Sequence, residues 1–151
     1  MKLAEALAAR ADLQTRYSQL GTRAQQSARF QEGETPAEDA AALLAEMDRV
    51  AARLEELIVR INVQNLATEV SPGVSMTAAL ARRDTLRRLQ KSRADLADAA
   101  ASQVDRYSRT ELRSFAALDV KALRDEADAF AKEARELDTL IQGVNWTTDM
   151  T

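Results

Sequence analysis

The side chains of this sequence that could do chemistry are arginines, carboxylates and amides, because the 151-residue chain contains no histidine and no cysteine. That absence removes zinc fingers, zinc hydrolase sites, Ser-His-Asp and Cys-His nucleophile pairs and any disulfide framework. The Glu-x-x-His motif of di-iron bundles fails for want of its imidazole, and neither zinc nor haem is expected. A metal held by this chain would have carboxylate, carbonyl and water oxygens as ligands, the set that suits Mg, Mn or Ca. Glu32 and Glu34, on either side of Gly33, are the candidate ligands for such a hard cation. A solvated acidic turn is the other reading of the same residues. No catalytic residue is legible.

A second set comprises Arg10, Arg60, Asn62, Asn65, Arg82, Arg83 and Asp84, which sit on or beside apolar stripes. Burying a guanidinium is unfavourable unless an anion faces it. These residues therefore point either to ion pairs that fix helix register, within or between chains, or to a site for a small anion such as phosphate. With Glu5 added, Arg60, Asn62, Arg83 and Asp84 could form the polar pocket of an anion-binding or carboxylate-metal protein or enzyme. A third set is the basic run Arg82, Arg83, Arg87, Arg88, Lys91 and Arg93, followed by Arg106, Tyr107 and Arg109. Arginine beside an aromatic can stack on single-stranded nucleic acid. A net charge of -3 opposes backbone-driven binding, so nucleic acid is not the expected partner.

The elements that must position these residues are helices. Gly and Pro together number six, hydrophobic residues make up 46% and charged residues 30%, a balance that predicts one mainly α domain over 1–151. Leu3, Ala6, Arg10, Leu13, Tyr17, Leu20, Ala24 and Ser27 step by alternating threes and fours, as in a coiled-coil seam, within a first helix over 2–29. Thr35-Pro36-Ala37-Glu38 reads as a cap, a first-turn proline and a capping-box glutamate. The helix that follows carries Ala40, Leu43, Met47, Val50, Leu54, Leu57, Ile61 and Gln64, with Leu44, Ala51 and Ile58 widening its apolar face. Such breadth predicts more than one neighbour.

Pro72-Gly73 between β-prone runs predicts a small hairpin near 66–76. Thr77 is the expected cap of a third helix to about Ser102, whose stripe is interrupted by Arg82, Arg83 and Arg93. Residues 104–118 show no helical seam and read as an extended segment. Asp119 caps a fourth helix with the seam Val120, Leu123, Ala127, Phe130, Ala134, Leu137, Ile141 and Val144, expected to end near Gly143 with Asn145-Trp146 as a tail. Residues 67–118 carry nine basic against six acidic side chains and residues 119–151 carry four against eight, so the third and fourth helices are expected to lie side by side. The fold class is thus an antiparallel bundle of about four long helices.

Glu5 and Arg10 break the only N-terminal stretch that could pass for an export signal, and no run spans a bilayer, so the expected location is the cytoplasm. Several stretches also stand together in order: Lys2-Leu3-Ala4-Glu5-Ala6-Leu7 with Arg10-Ala11-Asp12-Leu13-Gln14; Gln31-Glu32-Gly33-Glu34 with Pro36; Arg60-Ile61-Asn62 with Asn65; Ala81-Arg82-Arg83-Asp84; Arg106-Tyr107-Ser108-Arg109; and Arg135-Glu136-Leu137-Asp138 with Asn145-Trp146. Through them the chain resembles a family of small bacterial helical proteins labelled septicolysin, over nearly its whole length. The resemblance implies an all-helical fold, self-association and no agreed activity, with a cytolysin as the meaning of the label. Ala-rich stripes and an acidic last helix do not suit membrane insertion. The leading expectation is a homo-oligomeric assembly or interaction protein, and the alternative is the anion-binding or carboxylate-metal pocket.

Overall fold

A computed structural model of the chain describes residues 1–102 and 112–150. The fold is mainly α. Four helices, α1 (Leu3–Gln26), α2 (Ala40–Ala67), α3 (Met76–Ala101) and α4 (Val120–Thr147), account for most of the chain, with a two-stranded antiparallel ribbon of β1 (Glu69–Ser71) and β2 (Val74–Ser75) between α2 and α3. The ribbon turns at Pro72-Gly73, where Gly73 has φ 76°, a left-handed conformation that side chains with a Cβ resist. Residues 103–111, which include most of the expected extended segment, lie outside the described residues, and residues 112–119 form neither helix nor strand.

The chain forms two compact units, Met1–Glu69 with Gly143–Thr151, and Val70–Gln142. In the first, α1 and α2 pack antiparallel, with Arg16 opposite Glu46 and Arg23 opposite Glu38. Leu20, Leu43 and Val50 form the buried centre of this pair, with Leu13, Ala24 and Met47 packed around them. Burial follows the predicted α2 seam: Leu43, Val50, Leu57 and Ile61 are all buried. Gly21 faces α2, since a Cβ placed there would sit 3.4 Å from the Met47 Cε. The first unit also clasps the two ends of the chain. Leu3 donates its backbone N–H to the Thr148 carbonyl and Met150 donates to Met1, each at 2.9 Å, while the Lys2 ammonium meets the Asp149 carboxylate at 2.8 Å.

In the second unit α3 and α4 run antiparallel, held by Arg82 to Glu133 at 2.8 Å, Arg83 to Asp138 at 2.9 Å and Arg93 to Glu126 at 2.6 Å. The charge imbalance along the sequence is therefore satisfied between these two helices. The stripe on α3 proves regular rather than interrupted. Met76, Ala79, Leu86 and Ala97 are buried, and Arg83, Gln90, Arg93 and Ala100 fill the remaining positions of the same three-four step, all half-buried. Arg83 and Arg93 occupy the seam because a carboxylate on α4 faces each of them. Arg93 also stands 5.9 Å from the centre of the Phe130 ring, which places the cation over the ring's electron-rich face.

Several helix ends differ from the sequence expectation, and at the starts of α2 and α3 the cause is a nearer polar side chain. Asp39, not Thr35, caps α2, its carboxylate accepting the N–H groups of Ala41 at 3.0 Å and Ala42 at 3.2 Å. Glu38 is drawn instead to Arg23, whose Nε donates to it at 2.9 Å. Ser75, not Thr77, caps α3 by accepting from the Ala78 N–H at 3.2 Å, because the ribbon delivers the chain to the helix two residues earlier. At the far end, α4 runs through Gly143 to Thr147, so Asn145 and Trp146 lie within the helix and the chain folds back only at 148–150. Asp119 does cap α4, accepting from the Ala122 N–H at 3.0 Å.

Candidate functional site

The polar residues singled out in the sequence fall into different settings. Glu5 is the third residue of α1 and accepts the Lys2 backbone N–H at 2.7 Å, a capping role at the helix start. Glu32 and Glu34 lie on an exposed turn around Gly33. Among the described residues no group of three metal-binding side chains comes together. Arg83 is brought against Asp84 at 3.2 Å and Asp138 at 2.9 Å, with Arg87 also 3.5 Å from Asp138. Arg82 is half-exposed and engaged with Glu133. These arginines are committed to holding α3 against α4. Arg106, Tyr107 and Arg109 lie outside the described residues.

The remaining candidates lie on α1 and α2. Arg10 occupies its seam position half-buried, and its Nε is fully covered with no hydrogen-bond partner. Asn145, only 4% exposed, is the other such residue among those described, its Oδ1 lacking a donor. An orphaned donor and an orphaned acceptor in the interior each cost desolvation free energy unless water or a ligand supplies the bond. The sequence pattern singles out Arg10 but not Asn145, which it places in a tail. Its signal was the seam step itself, since Asn145 follows Ile141 by four residues.

Arg60 and Asn62 are exposed and Asn65 half-buried, all on the C-terminal half of α2. Arg60 lines a shallow cleft of about 260 Å³ together with Arg53, Glu56, Leu13, Leu57 and Ala9. Arg53, Glu56 and Arg60 make no ion pair or side-chain hydrogen bond among the described residues. This sets them apart from Glu46, shared by Arg16 and Arg49, the latter at 2.7 Å. There the hydrogen bond from Arg49, supported by both positive charges, holds the Glu46 carboxyl below its ordinary range.

Beside those unpaired charges stands an apolar stripe that sequence reading placed only in part. Val59, Val63 and Leu66 are 55%, 60% and 68% exposed. Their spacing of four and three residues puts them on one face of α2, opposite the buried Leu57 and Ile61. The breadth of the α2 stripe predicts a second neighbour and counts Leu44, Ala51 and Ile58 in its apolar face. The exposed face in fact centres on Val59. Among the described residues nothing covers it.

The comparisons with known proteins bear on the family alone. Residues 10–150 match the model of a family of unknown function, DUF6847, and the chain belongs to that family. It is similar to a functionally unknown conserved protein from Corynebacterium diphtheriae known from its crystal structure. The two share 42% sequence identity and superpose with a TM-score of 0.94, over 100% of this chain and 99% of that one. No curated protein matches the chain. The matches show a family of unknown function, and neither carries the septicolysin label that the resemblance drawn from the sequence implies. Among the described residues no helix is long and apolar enough to cross a membrane.

Proposed function

We propose that this chain is a homo-oligomeric assembly protein whose contact surface is the outer face of α2. The observation that carries the reading is the exposed stripe Val59, Val63 and Leu66, a second apolar seam on a helix whose first seam is already filled. A small apolar centre rimmed by charged and amide side chains is the anatomy of a protein–protein contact. Here the rim is Glu55, Glu56, Arg60 and Asn62, all exposed. Between Ala52 and Leu66 the stripe runs roughly 21 Å at 1.5 Å per residue. A patch of that length makes a small contact beside a standard interface of about 800 Å² per partner, and a reversible association is expected. Sedimentation equilibrium from about 1 to 500 µM should show a mass that rises with concentration. Val63→Asp should return it to the monomer with helix content unchanged. A monomer over the whole range refutes the reading.

A second reading, a small-anion binder, is favoured by the uncovered need of the buried Arg10 Nε. It predicts that inorganic phosphate raises the melting temperature of the wild type and leaves that of Arg10→Met unmoved. Equal shifts in the two proteins, or none in either, exclude it.

A further inference from the structure

The charges beside the α2 stripe say what covers it. Resting on the self-association reading above, we infer that the occupant is α2 of a second copy, lying antiparallel across a two-fold axis beside Val59. The helical step of 100° per residue follows from 3.6 residues per turn. On that step Val59 marks the middle of the exposed face, and Ala52 and Leu66, seven residues to either side, fall within about 20° of it. In a two-fold antiparallel pair centred on Val59, that residue meets the partner's Val59. The small Ala52 receives the partner's Leu66 at both ends, a match of small to large that lets the helices approach closely.

The edges of the stripe complete the argument. Helices paired in this way meet like edge to like edge, so each edge must be complementary to itself. One edge carries Glu56 and Arg60 and the other Glu55 and Asn62, all exposed. With Val59 on the axis, Arg60 lies about 3 Å along the pair from the partner's Glu56 and Asn62 about 1.5 Å from the partner's Glu55, offsets that these side chains span; each contact occurs twice, and the two Glu56 carboxylates flank the two Arg60 guanidiniums. Glu56 precedes Arg60 by four residues, the order that favours a pair within one helix. Yet neither makes a side-chain hydrogen bond or ion pair among the described residues, whereas Lys91–Asp95 and Lys121–Asp125 close at 2.7 Å on α3 and α4. A second copy satisfies both charges of each chain without inserting any foreign group.

The absence of native cysteine makes the test direct. Val59→Cys places one thiol on the axis beside its own copy, within disulfide reach, and mild oxidation with diamide should convert most of the protein to a covalent dimer. Leu66→Cys alone should cross-link little, since the two copies lie roughly 21 Å apart along the pair at 1.5 Å per residue. A mixture of Ala52→Cys and Leu66→Cys chains should cross-link to each other. Glu56→Arg and Arg60→Glu should each weaken the dimer about tenfold, with the double variant restoring it. A protein that self-associates but fails to cross-link at Val59, or cross-links as well at Leu66 alone, overturns this geometry and leaves self-association standing. The same holds if the double charge reversal restores nothing. A monomer at every concentration overturns both.

Discussion

The α1–α2 pair and the α3–α4 pair have seams of the same step but opposite content. Between α1 and α2 the contact positions are Leu13, Leu20, Leu43, Met47 and Val50, and the ion pairs Arg16–Glu46 and Arg23–Glu38 stand at the rim. Between α3 and α4 the arginines have moved into the seam, with Asp138 and Glu126 across from them. Apolar contact is strong but undirected, so it supplies stability with little preference for one register over the next. A guanidinium in a seam penalises every register that leaves it unpaired. The first pair is built for strength and the second for alignment.

Truncating the apolar pair should have the largest effect. Leu20→Ala, at a position 4% exposed in the centre of the α1–α2 contact, should lower unfolding stability in urea by about 2–4 kcal/mol. A loss under about 1 kcal/mol, the size of a surface change, would break the contrast. Next in size, Arg83→Met keeps the apolar stem and removes the charge, leaving Asp138 facing only Arg87 at 3.5 Å. The Arg83 side chain is 18% exposed and that of Arg82 51% exposed. Arg83→Met should cost about 1–2 kcal/mol and speed amide exchange on α3 and α4, while Arg82→Met should cost less than about 0.5 kcal/mol. Equal costs would mean that position in the seam is irrelevant.

The smallest effect should come from the rim of the apolar pair. The hydrogen bond and charge of Arg23 hold the Glu38 carboxyl below its ordinary value of 4.5, and Lys2 does the same for Asp149. A lowered folded-state pKa adds stability that is complete above the ordinary value and is lost as pH falls through the lowered one. Melting temperature should therefore decline as the pH drops below 4.5, and Glu38→Gln should flatten that decline slightly. Both groups are exposed, so the change is modest. An unchanged acid profile in Glu38→Gln would show that this rim pair contributes nothing.

The helices were legible because each seam is a one-dimensional record of burial: the buried positions of α2, and all but Asn145 of those of α4, are among those that the stated seams select. The α3 seam was harder to read because hydrophobicity alone cannot tell an arginine that breaks a stripe from one with a carboxylate waiting across it. The same gap explains Glu38, which fits a capping box by spacing and is taken by Arg23 in three dimensions. Of the candidate site, Arg10, Arg60 and Asn62 were visible as polar exceptions. The outer stripe of α2 was not, since Val59, Val63 and Leu66 look like any other apolar residues until the opposite face is known to be filled.

The clasp at the chain ends turns the linear sequence into something closer to a ring. Met1 and Met150 stand at opposite ends of the sequence, yet in space they are hydrogen-bonded neighbours. The order α1 to α4 is therefore one of several equivalent ways of cutting the same loop. A short linker across the clasp, with a new opening at the exposed Gly33, leaves each helix whole and every ion pair described here available. By the same geometry, anything fused to either end departs from one shared point on the surface.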